Sequence, residues 1–213
     1  KTLGSTKPYD LAYNKANQLL YITDQPNNSI VIYDTKNKQL LYTIPLNSKP
    51  NQIIYAAAIN KLLITSNPDQ VILFDCSANV VETSISSRGG SPSGIAYLHI
   101  KKHLYVANYD SDTVTVINIT DNTLVKTIKV DKNPTSLVLN EQAEYLYCAN
   151  KGTATISIID CQINEVVNYI ALNDPPTTMA YDSINNRLLV VSDTAGTVSF
   201  VSLINNNILS TAK

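Results

Sequence analysis

Short apolar runs recur along the chain at a constant spacing, and polar turns separate them. One residue within each run lies 42 positions after its counterpart in the run before: Tyr21, Leu63, Tyr105, Tyr147 and Leu189. Five prolines share this spacing: Pro8, Pro50, Pro92, Pro134 and Pro176. Self-similarity at a fixed period is the mark of a repeat protein. We therefore predict a single domain, 1–213, with repeats at 8–49, 50–91, 92–133, 134–175, and 176–213 together with 1–7.

Four β-strand patterns are present within each repeat. In the third repeat they are GIAY at 94–97, LYVA at 104–107, the alternating TVTVI at 113–117, and LVKTIKV at 124–130. Gly, Asn, Asp and Ser turns separate them, which is typical of an antiparallel meander. No stretch keeps a 3.6-residue period, so we expect few helices. The prediction is an all-β fold, a β-propeller of five four-stranded antiparallel blades of 42 residues each.

The strands of one repeat differ in polarity. The second and third strands are apolar without clean alternation, whereas the fourth carries charged residues such as Lys126, Lys129 and Glu82. We therefore expect the inner strands to be buried on both faces and the fourth strand to face water. The second repeat has a shorter turn at 66–70. Residues 88–91, a turn with two glycines, restore the 42-residue spacing before the next repeat.

Charge and hydropathy exclude two classes of partner. Sixteen Lys and Arg balance seventeen Asp and Glu, and no block of like charge occurs. Nucleic-acid binding that depends on neutralising phosphates lacks its usual basic surface. The longest apolar run, 53–59, is far shorter than the roughly 18 residues of a membrane-spanning helix. We predict neither a nucleic-acid partner nor a transmembrane segment.

The ends of the chain lead to an expectation about closure. The sequence begins at Lys1 without an initiator Met or an apolar leader, so we expect a processed or trimmed chain. Position 1 is equivalent to position 211 in the repeat. If the ring closes, Thr2 and Leu3 should lie beside the blade that ends near 210–213.

Cysteine and histidine offer little chemistry. Three cysteines, Cys76, Cys148 and Cys161, cannot all pair, and a hairpin near Gly152 would hold the last two too far apart for a disulfide. We expect buried free thiols. The only histidines, His99 and His103, are expected in an exposed turn beside lysines, so we predict no metal site and no cofactor.

No catalytic constellation stands out. The chain has no GxSxG nucleophile elbow and no paired carboxylates suited to glycoside hydrolysis. Asp34, Asp75 and Asp160 recur at the end of the third strand, where Asx side chains cap turns. We predict that the protein is not an enzyme and name no catalytic residue.

The best candidates for binding lie in loops at one end of the predicted blades. Residues that follow the repeated proline, together with two from a neighbouring turn, are expected around the mouth of a central channel. They are Tyr9, Asp10, Asn51, Gln52, Ser93, Thr135, Ser136, Thr177, Thr178, Tyr109 and Asp110. Most carry neutral hydrogen-bonding groups, which suit water, a small polar ligand or a loop of a partner.

One set of motifs has a family likeness. LYVAN at 104–108, followed by SDTVTVIN at 111–118 and LVKTIKV, resembles the YVTN-type β-propeller repeat. The first and fourth repeats match it well, and the second and fifth match more loosely. The resemblance implies a periplasmic, secreted or surface-layer protein. Family members typically have seven blades, so this chain of five repeats is either a closed five-bladed ring, which we favour, or part of a larger one.

Three functional hypotheses follow. The first is a non-catalytic scaffold or binding module that mediates protein–protein contacts, or self-assembly, in an envelope, secreted or cell-surface assembly. The second is a module for a small ligand or glycan, suggested by Tyr9 and Tyr109. The third is a lactonase-like or other hydrolase propeller, which rests only on analogy between folds.

Overall fold

The computed structural model describes residues 7–213 and confirms an all-β fold. It contains five four-stranded antiparallel sheets, each with its strands in sequence order. Within the described range, the only helical segment is a 3₁₀ turn at Ala57–Ile59. Thr2 and Leu3, which we expected at a closing seam, lie outside the described residues.

Each sheet is formed by one repeat, and we number the sheets 1 to 5 in chain order. Sheet 1 contains β1 (Pro8–Asn14), β2 (Leu19–Asp24), β3 (Ser29–Asp34) and β4 (Gln39–Pro45). Sheet 2 contains β5 (Lys49–Ala56), β6 (Lys61–Asn67), β7 (Gln70–Asp75) and β8 (Val80–Ser86). Sheet 3 contains β9 (Pro92–Leu98), β10 (His103–Asn108), β11 (Thr113–Asn118) and β12 (Thr123–Lys129). Sheet 4 contains β13 (Pro134–Asn140), β14 (Tyr145–Asn150), β15 (Thr155–Asp160) and β16 (Glu165–Ala171). Sheet 5 contains β17 (Thr178–Asp182), β18 (Arg187–Ser192), β19 (Thr197–Ser202) and β20 (Ile208–Ala212).

The chain forms two compact units, residues 1–95 and 96–213, which we describe separately. In the first unit, sheets 1 and 2 share a core whose largest members include Tyr21 and Phe74, with ring centroids 6.1 Å apart. The second unit contains two apolar clusters, one around Tyr105 and Leu146 and the other around Tyr147 and Leu188. Each cluster consists of side chains from neighbouring sheets.

Burial across one sheet follows the predicted order of strands. In sheet 3, β10 is buried from Leu104 to Asn108, and β11 is buried from Val114 to Ile117. The fourth strand, β12, exposes most of its side chains, and β4 and β8 behave in the same way. The inner strands are thus covered on both faces, as the lack of alternation in their sequences predicted.

A residue with positive φ, in the left-handed backbone conformation, is present in nearly every hairpin turn. In the turns between first and second strands, the residue just before the second strand has positive φ, as at Lys102 (56°) and Glu144 (53°). Turns between the third and fourth strands follow the same rule, with Asn122 and Asn164 in this position. Asn tolerates this conformation better than most residues, which explains its frequent use here.

Carboxylates cap the turn that follows the third strand, as predicted. Asp34 Oδ1 accepts a hydrogen bond from the Asn37 backbone N–H at 2.9 Å, Asp75 Oδ1 from that of Ser77 at 2.6 Å, and Asp160 Oδ1 from that of Gln162 at 2.7 Å. These backbone donors hold the pKa of Asp34 and of Asp75 below its usual value. The recurring aspartates therefore have a structural role.

The second repeat departs from the others in the way its sequence indicates. Only residues 68–69 connect β6 to β7, whereas residues 25–28 connect β2 to β3. The segment 87–91 before β9 is correspondingly longer than 46–48 before β5. Gly89 in this segment donates its backbone N–H to Asp69 Oδ1 at 3.2 Å, which ties the longer turn to the shorter one.

Candidate functional site

The predicted binding residues lie at one end of each sheet. Strand pairing sets Pro8 beside Asp24 and Pro134 beside Asn150, so the first strand begins where the second strand ends. The turn between the second and third strands therefore lies next to the start of the first strand. We call this the loop end of a sheet.

In the first unit, two of the predicted residues bond across sheets: Asp10 joins sheet 1 to sheet 2, and Asn51 joins sheet 2 to the start of β9. The Asp10 carboxylate accepts a hydrogen bond from the Ile53 backbone N–H at 3.0 Å, and burial raises the pKa of Asp10. Asn51 is buried and donates from Nδ2 to Asn67 Oδ1 at 3.1 Å and to the Pro92 carbonyl at 2.9 Å. These side chains hold the loop end together.

The second unit uses equivalent positions in the same way. Ser136 Oγ accepts a hydrogen bond from the Met179 backbone N–H at 3.3 Å, as Asp10 does from Ile53 126 residues earlier. Thr135 Oγ1 donates to the Pro176 carbonyl at 3.4 Å, as Asn51 does to Pro92. Two kinds of hydrogen bond between sheets therefore recur, one made by Asp10 and Ser136 and the other by Asn51 and Thr135. The sequence had predicted these four residues around the mouth of a channel.

The remaining predicted residues are half-buried or exposed. Gln52, Ser93, Tyr109 and Thr177 are half-buried, whereas Tyr9, Asp110 and Thr178 are exposed. The Thr177 hydroxyl hydrogen-bonds the Asp193 carboxylate in the neighbouring turn. Five of the eleven predicted residues lie in the first unit and six lie in the second.

The two histidines have separate environments. His99 is exposed, and its Nδ1 lies 3.1 Å from Glu141 Oε1. The expectation of an exposed turn is wrong for His103, which is half-buried in β10 with its ring edge-on to Tyr105. Burial lowers the pKa of His103, and the Lys101 ammonium lowers it further. Within residues 7–213, no three His, Cys, Asp or Glu side chains are grouped as metal ligands would be.

All three cysteines are buried free thiols, as predicted. Cys148 lies opposite Ser157 in the ladder, and Cys161 follows the end of that strand, so the two are offset along the hairpin. Burial raises the pKa of Cys76 and of Cys161 to about 11. These thiols are therefore protonated at neutral pH and poorly nucleophilic.

Between sheets 3 and 4, the hydroxyl of a buried tyrosine is hydrogen-bonded. The Tyr105 hydroxyl donates to Asn164 Oδ1 at 2.7 Å, and the Cys161 thiol lies beside the same hydroxyl. Tyr105 and Cys161 have no exposed surface, and Asn164 is 7% exposed. This contact fills the space between the two sheets.

Between sheets 4 and 5, the equivalent space is open. Tyr147 occupies the position of Tyr105, Leu203 that of Cys161, and Asn206 that of Asn164. A cavity of about 310 Å³ separates these groups, and it is lined by Tyr145, Tyr147, Ile158, Val167, Asn168, Leu203 and Asn206. Sequence reasoning missed this cavity, although aligning the repeats would have shown Leu203 in place of Cys161.

A side chain, rather than the length of the turn, differs between the two places. Val166 pairs with Ile159 and Ile208 pairs with Val201, 42 residues later, so the two hairpins have the same register. Asn164 and Asn206 both have positive φ, at 56° and 59°. The Asn206 carboxamide is half-buried at the edge of the cavity and is not bonded to the tyrosine. Leu203 in place of the Cys161 thiol is therefore the change that accompanies the open space.

Neither a comparison with protein-family models nor a search among curated proteins finds a match for this chain. Across the described part of the chain, no helix has the length and apolar character needed to cross a membrane.

Proposed function

We propose that the five sheets are the blades of a closed β-propeller, of the kind that resemblance to YVTN-type repeats implies. The repeated hydrogen bonds from Asp10 to Ile53 and from Ser136 to Met179 support this arrangement, because they stack successive sheets in the same way. A ring of blades is built from such a repeated contact.

The outer face of β1 gives a second line of support. Leu11 is equivalent to Ile53 and Met179, which are 3% and 8% exposed where they pack against the preceding sheet, but Leu11 itself is 58% exposed. Tyr9 and Tyr13 on the same face are also exposed. An apolar face of this kind is costly in water, and in a closed ring it is covered.

Substitution of Leu11 tests closure. In a closed ring, Leu11→Ala lowers the free energy of unfolding by about 2 kcal/mol or more, as expected for a buried leucine. Ile53→Ala provides the reference for a covered position. Urea unfolding measures the free energy of unfolding of both variants. A loss of less than about 0.5 kcal/mol for Leu11→Ala, which is the usual range for surface substitutions, contradicts closure.

For the biochemical role, the proposal is a non-catalytic binding module that presents its loop end to another protein in an envelope, secreted or cell-surface assembly. The location rests on the family resemblance alone. The observation that carries the role is that side chains exposed at the loop end differ between repeats, as Asp110 and its equivalent Thr194 do, whereas the hydrogen bonds between sheets recur. Variable loops on a rigid frame are typical of binding proteins.

Affinity capture from the envelope fraction of the native host tests this role. The wild-type chain should retain a stoichiometric protein partner, and the double change Tyr109→Ala with Asp110→Lys at the loop end should release it. Ile184→Ser is the matched control, because Ile184 is 93% exposed in a turn at the opposite end of its sheet. Equal loss of the partner from both variants, or no stoichiometric partner with the wild type, contradicts the proposal.

A further inference from the structure

The cavity between sheets 4 and 5 combines a buried base with an open side. Tyr147 and Ile158 are 4% and 6% exposed, whereas Val167 is 49% exposed and Asn168 is also exposed. The volume of about 310 Å³ is at the lower limit of the usual range for small-molecule pockets, which is roughly 300–1,000 Å³. A compact ligand can thus enter past Val167 and reach Tyr147.

Tyr147 carries a polar group with no bonding partner in the protein. No hydrogen bond joins its hydroxyl to any side chain or backbone group in the described range, although the equivalent Tyr105 donates to Asn164 at 2.7 Å. Burial raises the pKa of Tyr147 to about 12, and the nearby hydroxyls of Tyr181 and Tyr145 add to the rise. The group is therefore a neutral, unpaired donor at physiological pH, on a residue that lines the cavity, where a ligand can reach it.

A smaller cavity in the first unit shows the contrast. It has a volume of about 160 Å³ and is lined in part by Ser48 and Gln70. Ser48 Oγ hydrogen-bonds Ser66 Oγ at 2.7 Å and donates to Gln70 Oε1 at 3.3 Å. The Ser48 hydroxyl in that cavity is thus already paired, unlike the hydroxyl of Tyr147.

We propose that the cavity between sheets 4 and 5 binds a small uncharged aromatic molecule with a hydroxyl substituent. No charged residue lines it, so an ionised ligand would lose its hydration without a partner. Ile158, Val167 and Leu203 provide apolar side chains that a ring can pack against, and Tyr147 and Asn206 provide the polar groups for its hydroxyl. The ligand hydroxyl accepts a hydrogen bond from Tyr147 and donates to the Asn206 carboxamide oxygen.

The first experiment uses phenol as the probe, titrated into ¹⁵N-labelled protein and followed by NMR. We expect saturable shifts at residues lining the cavity with a dissociation constant near or below about 1 mM, a reasonable value for a seven-atom ligand. Benzoate, which has the same ring but a charge, should bind at least tenfold more weakly. Loss of the donor in Tyr147→Phe should weaken phenol about fivefold, while Tyr42→Phe, a control on the exposed β4, leaves binding unchanged.

A second experiment blocks the cavity and uses the absence of tryptophan from the chain. Leu203→Trp should place an indole in the cavity, shift its fluorescence emission to the blue and abolish phenol binding. Leu209→Trp is the control, since Leu209 is 58% exposed on β20, and its emission should be that of a hydrated indole.

Three results would each overturn the inference. The first is the absence of a saturable phenol shift at about 10 mM, roughly tenfold above the expected dissociation constant. The others are equal binding of phenol and benzoate, and phenol binding that persists in a folded Leu203→Trp protein. If Leu203→Trp does not fold, the comparison of wild type with Tyr147→Phe still decides, because unchanged affinity contradicts the assigned donor. The outcome is independent of the loop-end partner, whose capture tests a different surface.

Discussion

The contacts that sheet 4 makes with its two neighbours show how one repeat can build either a filled core or a cavity. Against sheet 3, Tyr105, Cys161 and Asn164 close together with a hydrogen bond of 2.7 Å. Against sheet 5, the equivalent residues Tyr147, Leu203 and Asn206 border a space of about 310 Å³. The tyrosine and the asparagine are the same in both places.

One change in side chain accompanies the difference. Leu203 replaces the Cys161 thiol that lies beside the tyrosine hydroxyl. It lies in a turn outside the strands, whose register is the same in sheets 4 and 5. Loop chemistry, rather than strand pairing, therefore decides whether the space between two sheets is filled.

The largest expected effect comes from removing each tyrosine ring. Tyr105→Ala should lower the free energy of unfolding by about 3–5 kcal/mol, because a fully packed aromatic side chain is lost. Tyr147→Ala should cost at least about 1 kcal/mol less, since one side of its ring already faces a void and makes fewer contacts. Urea unfolding monitored by circular dichroism measures both, and equal costs would contradict an open cavity.

Stability in alkaline solution provides the next test. The folded-state pKa of Tyr147 is about 12 and the ordinary value is 10.0, so the folded state favours the protonated form. The resulting stabilisation is fully present below pH 10 and is lost as pH rises from 10 through 12, because the unfolded chain ionises first. At about 1.4 kcal/mol per unit the difference corresponds to about 2.8 kcal/mol, and because the cavity is open to water, screening should reduce the loss attributable to Tyr147 to roughly 1–2 kcal/mol.

The measurement compares unfolding free energies of the wild type and Tyr147→Phe at pH 9, 10 and 11. The variant should lose less stability over this interval than the wild type. Tyr42→Phe, at an exposed position on β4, is the control and should follow the wild type. Parallel curves for all three proteins would show that the Tyr147 hydroxyl is not held in its neutral form by burial.

Removing only the hydroxyl groups gives a smaller and more specific difference. Tyr105→Phe leaves Asn164 Oδ1 buried without its donor and should cost about 1–3 kcal/mol. Tyr147→Phe removes a hydroxyl that has no partner in the described part of the chain, so we expect a change within about 0.5 kcal/mol. A similar cost for both variants would mean that Tyr147 already has a partner of equal strength.

Sequence reasoning was strongest where an interaction lies within one repeat. The run at 104–107 lies within β10, and Asp34 and Asp160 cap the turns that their spacing indicated. These features depend on residues a few positions apart, whose geometry is set by local backbone preferences. The strand order of each sheet follows from the same short turns.

Interactions between repeats were not predicted. Asp10 and Asn51 were expected to be binding residues, yet each bonds a backbone group about 42 residues away. A polar side chain suits either ligand binding or a contact between sheets, and only the position of the neighbouring sheet shows which of these two roles it has. The cavity was missed for the same reason, because spacing identifies the strand on which Tyr147 lies but not which side chain faces it across the gap.

The smallest expected effect comes from a reciprocal exchange in the turns of sheets 4 and 5. Ala154 has φ 52° directly before β15, and the equivalent Gly196 has φ 63° directly before β19. A side chain in this conformation is strained, and glycine relieves the strain while adding freedom to the unfolded chain. Ala154→Gly should therefore stabilise the protein by about 0.5–1 kcal/mol. Gly196→Ala should destabilise it by a similar amount, because no atom lies within 4 Å of the added methyl group and only backbone strain remains.

Gly152→Ala, in the same turn as Ala154, is the contrasting case. Its added methyl group would lie 2.5 Å from Asn133 Oδ1, so this change should cost more than Gly196→Ala. Thermal and urea unfolding of the three variants measure these differences, and an Ala154→Gly change of the opposite sign would show that the two turns do not share one backbone geometry.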